Sequence, residues 1–131
     1  MAHLTAVALA LPTLAADGSV TLVSAASAQS AMPGTVGLAA VNGAVEAAVP
    51  PLAAELAPRR VNAVSPGVIE TPWWGEISAD DREAAFRTYA QQTPVGRNGQ
   101  PADVARAIAA LVENGFITGV VLPCDGGLRL T

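Results

Sequence analysis

The chain contains no lysine; its seven cationic side chains are all arginine. Chemistry that needs an ammonium group, such as lysine-assisted proton transfer, therefore has to come from outside these 131 residues. Cysteine is nearly absent. Cys124 stands alone, which excludes an internal disulfide framework and a cysteine-built metal centre. With His3 as the single histidine, a zinc ligand set cannot be assembled, and no metal site is expected. Charge is also scarce: 14% of residues are charged, the net charge is −4, and there is no basic run. Phosphate-backbone recognition needs clustered cations, so no nucleic-acid partner is expected. Aromatic residues make up only 4% of the chain, which leaves Ala, Val and Leu to build the core. The apolar opening over residues 2–12 lacks a Lys/Arg stretch and is too short to span a bilayer. Residues 5–11 are read as a buried helix rather than a secretory leader or membrane anchor, and the expected location is cytoplasmic.

What is present is an apolar fraction of 51% in a length suited to one domain, residues 1–131. Residues 1–15 have good helix propensity. Asp17-Gly18 then makes a turn, and Ser19–Ser24 is a short β-branched run that reads as a buried strand. Residues 25–35 read as loop. Residues 36–57 carry an Ala/Val helical pattern, with Pro50 and Pro51 predicting a kink or break and a new helical turn from Pro51. Arg60–Val64 reads as a second strand and 68–78 as a loop bearing Trp73 and Trp74. Ser78 is placed to N-cap a helix over 79–91, with Asp80 and Asp81 in its first turn. A loop over 93–101 leads into a helix from Pro101 to about Val112, ended by Asn114-Gly115. Val120–Pro123 is the third strand. Strands alternating with helices predict an α/β fold with parallel pairing.

Several blocks are more specific than any periodicity. Ala54-Glu55-Leu56-Ala57-Pro58 is followed by Arg60-Val61-Asn62-Ala63-Val64-Ser65-Pro66-Gly67 and by Thr71-Pro72. Residues 94–105 then begin Pro94-Val95-Gly96-Arg97, and the end carries Phe116-Ile117-Thr118-Gly119 and Asp125-Gly126-Gly127. In this order and spacing they resemble the short-chain dehydrogenase/reductase family along essentially the whole chain. The resemblance implies a partial Rossmann-like parallel sheet, strands five to seven of the family fold, with flanking helices. The Gly-rich dinucleotide fingerprint of the family's first βα turn has no counterpart among these residues.

The resemblance also assigns positions to the family's chemistry. Its catalytic tyrosine, the lysine four residues later and the earlier serine fall on Leu38, Asn42 and Ala25, so no catalytic residue is carried over. Ser24, Ser27 and Ser30 flank the emptied serine position and read as loop hydrogen bonders. Asn42 reads as a satisfied buried amide or an interface contact. In relatives the turn at Pro66, Gly67, Ile69 and Thr71 meets the nicotinamide cofactor, and these four are the candidate cofactor contacts. Trp73 and Trp74 lie where relatives keep a mobile lid and are expected to pack on the 79–91 helix. Tyr89 reads as too distant to replace the lost tyrosine, and Cys124 as inert.

The functional expectation is a truncated, divergent homologue of NAD(P)-dependent oxidoreductases without hydride transfer of its own, serving as scaffold, subunit partner or remnant. One alternative is an oxidoreductase completed by a missing N-terminal half or another subunit. The other is a cofactor-independent enzyme reusing the family pocket. No cofactor is expected for the isolated chain, and NADP or NAD if a partner completes it. The expected partners are further copies of the chain or a complementing family subunit, with no nucleic acid and no membrane.

Overall fold

Three short apolar runs form one parallel sheet in a computed structural model that describes residues 2–131. Strands β1 (Ser19–Val23), β2 (Arg60–Pro66) and β3 (Val121–Cys124) lie in the order β1-β2-β3. Ser19 faces Arg60 and Val23 faces Val64; Ala63 faces Val121 and Pro66 faces Cys124. The central strand, paired on both sides, is buried from Val61 through Ser65. Pro123 has no N–H to donate, and it sits on an edge strand where that loss is tolerated.

Helices α1 (Ala2–Ala10), α2 (Val36–Glu55), α3 (Ala79–Gln92) and α4 (Pro101–Glu113) complete the alternating order expected from the sequence. Val7 of α1 and Val45 and Val49 of α2 pack with Leu22 and Ala63 into the main apolar cluster. Asn62 follows the opposite side of the pleat. Fully buried, it donates to the Ile117 carbonyl at 3.0 Å and accepts from the Val120 N–H at 3.1 Å, which pins the connection from α4 into β3. The Arg60 guanidinium donates to the carbonyls of Leu111 and Val112, at 2.7 and 2.8 Å, near the C-terminal end of α4. A cation is favoured there by the helix dipole.

Five sequence expectations need correction. The first helix stops at Ala10 rather than residue 15, because Pro12 disfavours helical backbone in Leu11. Only Val7 of this helix is buried, so it is not the buried helix its composition suggested. Met1, placed at its start from the sequence, lies outside the described residues. Of the kink or break expected at Pro50-Pro51, the break does not occur: α2 is one continuous helix from Val36 to Glu55. Both prolines are exposed, their fixed φ is compatible with helix, and burial of Val49 and Ala53 holds the turns around them. The stretches 25–35 and 68–78, expected as plain loops, contain short 3-10 turns at Ala26–Ala28 and Pro72–Glu76. Strand boundaries shift by one or two residues, with β2 reaching Pro66 and β3 spanning Val121–Cys124.

By length and composition α2 could cross a membrane; in this structure its Glu46 is engaged with the sheet end. The Glu46 carboxylate accepts from Ser24 Oγ, Ser65 Oγ and Gln29 Nε2, each at 2.7 Å. One side chain thereby joins the middle of α2 to the C-terminal ends of β1 and β2. Glu46→Ala leaves two largely buried serine hydroxyls without this acceptor. It is expected to lower folding stability by about 2 kcal/mol, read from urea midpoints at constant m-value. A loss below about 0.5 kcal/mol would show that the serines re-pair within their own strands.

Candidate functional site

Leu38, Asn42 and Glu46 are spaced four residues apart and share one stripe of α2. Glu46 anchors this stripe to the strand ends. One turn earlier, Asn42 Nδ2 donates to Ser27 Oγ at 3.2 Å and to the Leu38 carbonyl at 3.0 Å. One turn earlier again, Leu38 reaches the wall of a cavity of about 170 Å³ that Ala25, Pro66 and Gly67 also line. The register taken from the resemblance thus brings Ala25 and Leu38 together, with Asn42 beside them on Ser27. Asn42, expected as a satisfied buried amide or an interface contact, is half-buried and engaged through its Nδ2.

The opposite wall comes from the segment after β2. Trp74 Nε1 donates to the Ile69 carbonyl at 3.0 Å, and its ring meets Phe86 and Tyr89 of α3 with centroids 5.5 and 6.2 Å apart. The two tryptophans divide their roles. Trp74 packs on α3 as expected, whereas Trp73 is 72% exposed and stands edge-on to Trp74. Tyr89, expected to be too distant to replace the lost tyrosine, lines the same cavity as Ala25 and Leu38. The ring contact with Trp74 places Tyr89 on this lining, a proximity that residue counting does not reveal. Among the described residues lining this cavity, Tyr89 is the only titratable group. There is no base, carboxylate or cation beside it to form an acid–base pair.

The four candidate cofactor contacts are split. Pro66 and Gly67 line the small cavity, while Gly67 and Ile69 line a second, open cavity of about 500 Å³. Thr71 precedes the 3-10 turn, its carbonyl accepting from the Trp74 N–H at 3.3 Å, and lines neither. Gly67 is required by close approach: a Cβ there would lie 2.8 Å from Asp125 Cα. Ile69 forms a parallel bridge to Gly99, and the Glu70 carboxylate accepts from Asn98 and Gln100, at 3.1 and 2.8 Å. These contacts fix the turn against the loop ahead of α4.

The larger cavity is charged, but its charges are internally paired. Arg97 donates to both Asp103 oxygens, at 2.8 and 3.2 Å, and Arg106 adds a third contact at 2.6 Å. The Arg97 hydrogen bond, followed by the Gln100 backbone N–H, holds the Asp103 carboxyl well below the usual carboxylate range. Burial alone would push Asp125 up. The N–H groups of Gly127 and Arg129 and the Arg129 guanidinium outweigh it and lower its pKa. Burial, then the nearby Asp103 and Asp125 charges, push the Cys124 thiol up, so it stays protonated and unreactive near neutral pH. Among the described residues, no group of three or more His, Cys, Asp or Glu side chains is arranged to hold a metal ion.

Because Asp103 is depressed in the folded state, its contribution is present above its unfolded pKa and is lost as pH falls toward the folded value. Asp103→Asn is therefore expected to be less stable than the parent at pH 7. The gap in urea midpoints should shrink as pH drops below about 4, where the unfolded chain takes up its proton. A gap unchanged between pH 7 and pH 3 would contradict this linkage.

Comparison with known proteins gives a consistent picture. A family model described as enoyl-(acyl carrier protein) reductase matches residues 2–129. The chain is 39% identical over 116 residues to the 3-oxoacyl-[acyl-carrier-protein] reductase of Thermotoga maritima, covering 86% of this chain and 46% of that protein. A solved small-chain dehydrogenase in complex with NADPH superposes with a TM-score of 0.85 at 40% identity, over 88% of this chain and 52% of that one. The MalC reductase/Diels-Alderase of Malbranchea aurantiaca superposes with a TM-score of 0.81 at 34% identity, over 90% and 45%. The chain spans about half the length of the relatives it matches.

Proposed function

The chain belongs to the short-chain dehydrogenase/reductase family, and from that premise we propose a member that does not transfer hydride by itself and works as a partner or binding subunit. One observation carries this reading. Ala25 and Leu38 meet at one cavity with Asn42 beside it, and the three positions where the family's serine, tyrosine and lysine would stand offer neither an acid nor a cation. A tyrosine needs a nearby positive charge to act as a general acid or base near neutral pH, and the chain has no lysine to give one. If a partner completes the domain, Pro66, Gly67, Ile69 and Thr71 are the residues proposed to meet NADP or NAD.

A second reading is non-redox use of the same pocket. The apolar walls at Ala25 and Leu38 favour it, as does a relative described as both reductase and Diels-Alderase. The two readings share the expectation of no carbonyl reduction by these 131 residues.

NADPH or NADH consumption across a broad panel of ketones and aldehydes is expected to stay at the no-protein rate. Calorimetry should give a dinucleotide dissociation constant of about millimolar or weaker, since each missing phosphate contact removes roughly 1.5–3 kcal/mol. Turnover that a Thr71→Val change abolishes, or micromolar cofactor binding, would overturn the proposal.

The partner is proposed to be a second copy or a complementing subunit. Strand β1 is a sheet edge with its second side unpaired among the described residues. Leu9 is 77% exposed, Val36 82% and Val41 64%, which leaves apolar surface on α1 and α2. Sedimentation at micromolar concentration should show a dimer or larger species. Val41→Asp should shift it to a folded monomer. Val45 and Val49 are unsuitable for this test because they are buried within the chain and a charge there reports on folding. A folded monomer of the parent at high concentration would rule out self-association.

A further inference from the structure

We propose that Met32 is a reversible oxidation site, and that its sulfoxide fastens helix α3 to the loop after β1 through the Tyr89 hydroxyl. The inference does not depend on whether the chain transfers hydride.

The helix it would fasten is loosely held. Among the described residues, α3 is the one helix that buries no residue. Without a buried stripe a helix draws little stability from the core, so it leans on individual contacts. The side-chain links that reach α3 from outside include Asn98 Nδ2, donating to the Phe86 carbonyl at 3.0 Å, and Trp74, whose ring meets Phe86 and Tyr89. They also include the Tyr89 hydroxyl, donating to Met32 Sδ at 3.9 Å. This last link is chemically weak, because a thioether is a poor acceptor.

Oxidation changes the acceptor and leaves the donor in place. The sulfur lone pair attacks one oxygen of a hydroperoxide, and the S–O bond forms as the O–O bond breaks. The proton of the transferred oxygen passes to the other oxygen, which leaves as water or an alcohol. Sulfur is oxidised and the peroxide reduced. A sulfoxide reductase drawing on a thiol pair reverses the change with release of water. The sulfoxide oxygen is a far stronger acceptor than the thioether. In a closed core such a polar atom disrupts packing; beside Met32 a hydroxyl already points at it.

The sulfur is also reachable. Met32 is half-buried, and its neighbours Ala31, Pro33 and Gly34 are exposed. It borders one hollow with Ser30 and Gln92 and another with Ala85 and Thr88. Its backbone is settled, since the Met32 carbonyl accepts from Thr35 Oγ1 at 2.7 Å and from the Thr35 N–H at 3.4 Å. Cys124 is the less suited sulfur: burial pushes its thiol up, which leaves little nucleophilic thiolate.

The test uses the full chain, with hydrogen peroxide as oxidant. Digestion and mass spectrometry should find one added oxygen on the Met32 peptide. Deuterium uptake should then fall over 29–35 and over 86–92. In Tyr89→Phe the oxygen should still add, and uptake should not fall. From urea midpoints, oxidation should favour folding about fivefold more in the parent than in Tyr89→Phe, the worth of one hydrogen bond. Met32→Leu should show no response over either segment. The proposal is overturned if Met32 stays unreacted while free methionine in the same tube is consumed, or if uptake rises on oxidation of the parent. It is equally overturned if Tyr89→Phe keeps the fall, if Met32→Leu shows it, or if Gln92→Ala or Ser30→Ala abolishes it.

Discussion

The arrangement of the site depends on one carboxylate. Glu46 accepts hydrogen bonds from the ends of two parallel strands and from the loop between β1 and α2. Without a directional contact, an Ala/Val helix could slide or rotate over an Ala/Val sheet at little energetic difference, since apolar packing is non-directional. Three hydrogen bonds to a charged acceptor remove that freedom. Leu38 lies eight residues ahead, about 12 Å along the helix axis, and arrives over Ala25 and Gly67 because Glu46 is fixed. Asn42 repeats the device at half that distance with a weaker, neutral contact to Ser27.

Much of the fold was legible because β/α alternation is written in hydrophobic runs and in punctuation. Ser78 caps α3 as its position implied, accepting the Asp81 N–H at 3.1 Å, and Pro101 opens α4. The positions Ala25 and Leu38 were legible through the family blocks alone; nothing in their own chemistry marks a site. Glu46 was the overlooked residue. An acid in the middle of a twenty-residue, mostly apolar helix, whose other acid, Glu55, stands at its last position, was the available signal, and its i−4 and i−8 neighbours, Asn42 and Leu38, were already singled out. Tyr89 could not be read this way. Its place on the lining shared with Leu38 depends on the path of the intervening turns, a tertiary fact with no periodic trace.

Backbone contacts shape the turn after β2: Gly67 approaches Asp125, Ile69 bridges to Gly99, and two amides hold Glu70. At the positions that the family resemblance assigns to proton transfer stand Ala25, Leu38 and Asn42. Scaffold and chemistry are separable in this way because the first resides in strand ends and turns and the second in a few replaceable side chains. The charged cavity next to it points the same way. Its arginine and aspartate groups satisfy one another and stabilise the start of α4, leaving no unpaired cation there for an anionic ligand.

The two prolines of α2 tie a local element to distant parts of the chain. Pro50 and Pro51 remove two amide donors from the C-terminal half of a helix whose sequence otherwise propagates well. The hydrogen-bond ladder has a gap there that the segment alone does not fill. Its continuity is supported by the surface beneath Val49, which β1 and β2 build by pairing across roughly forty residues of intervening chain. A local helix thus depends on a non-local strand pairing, a contact that is costly in loop closure.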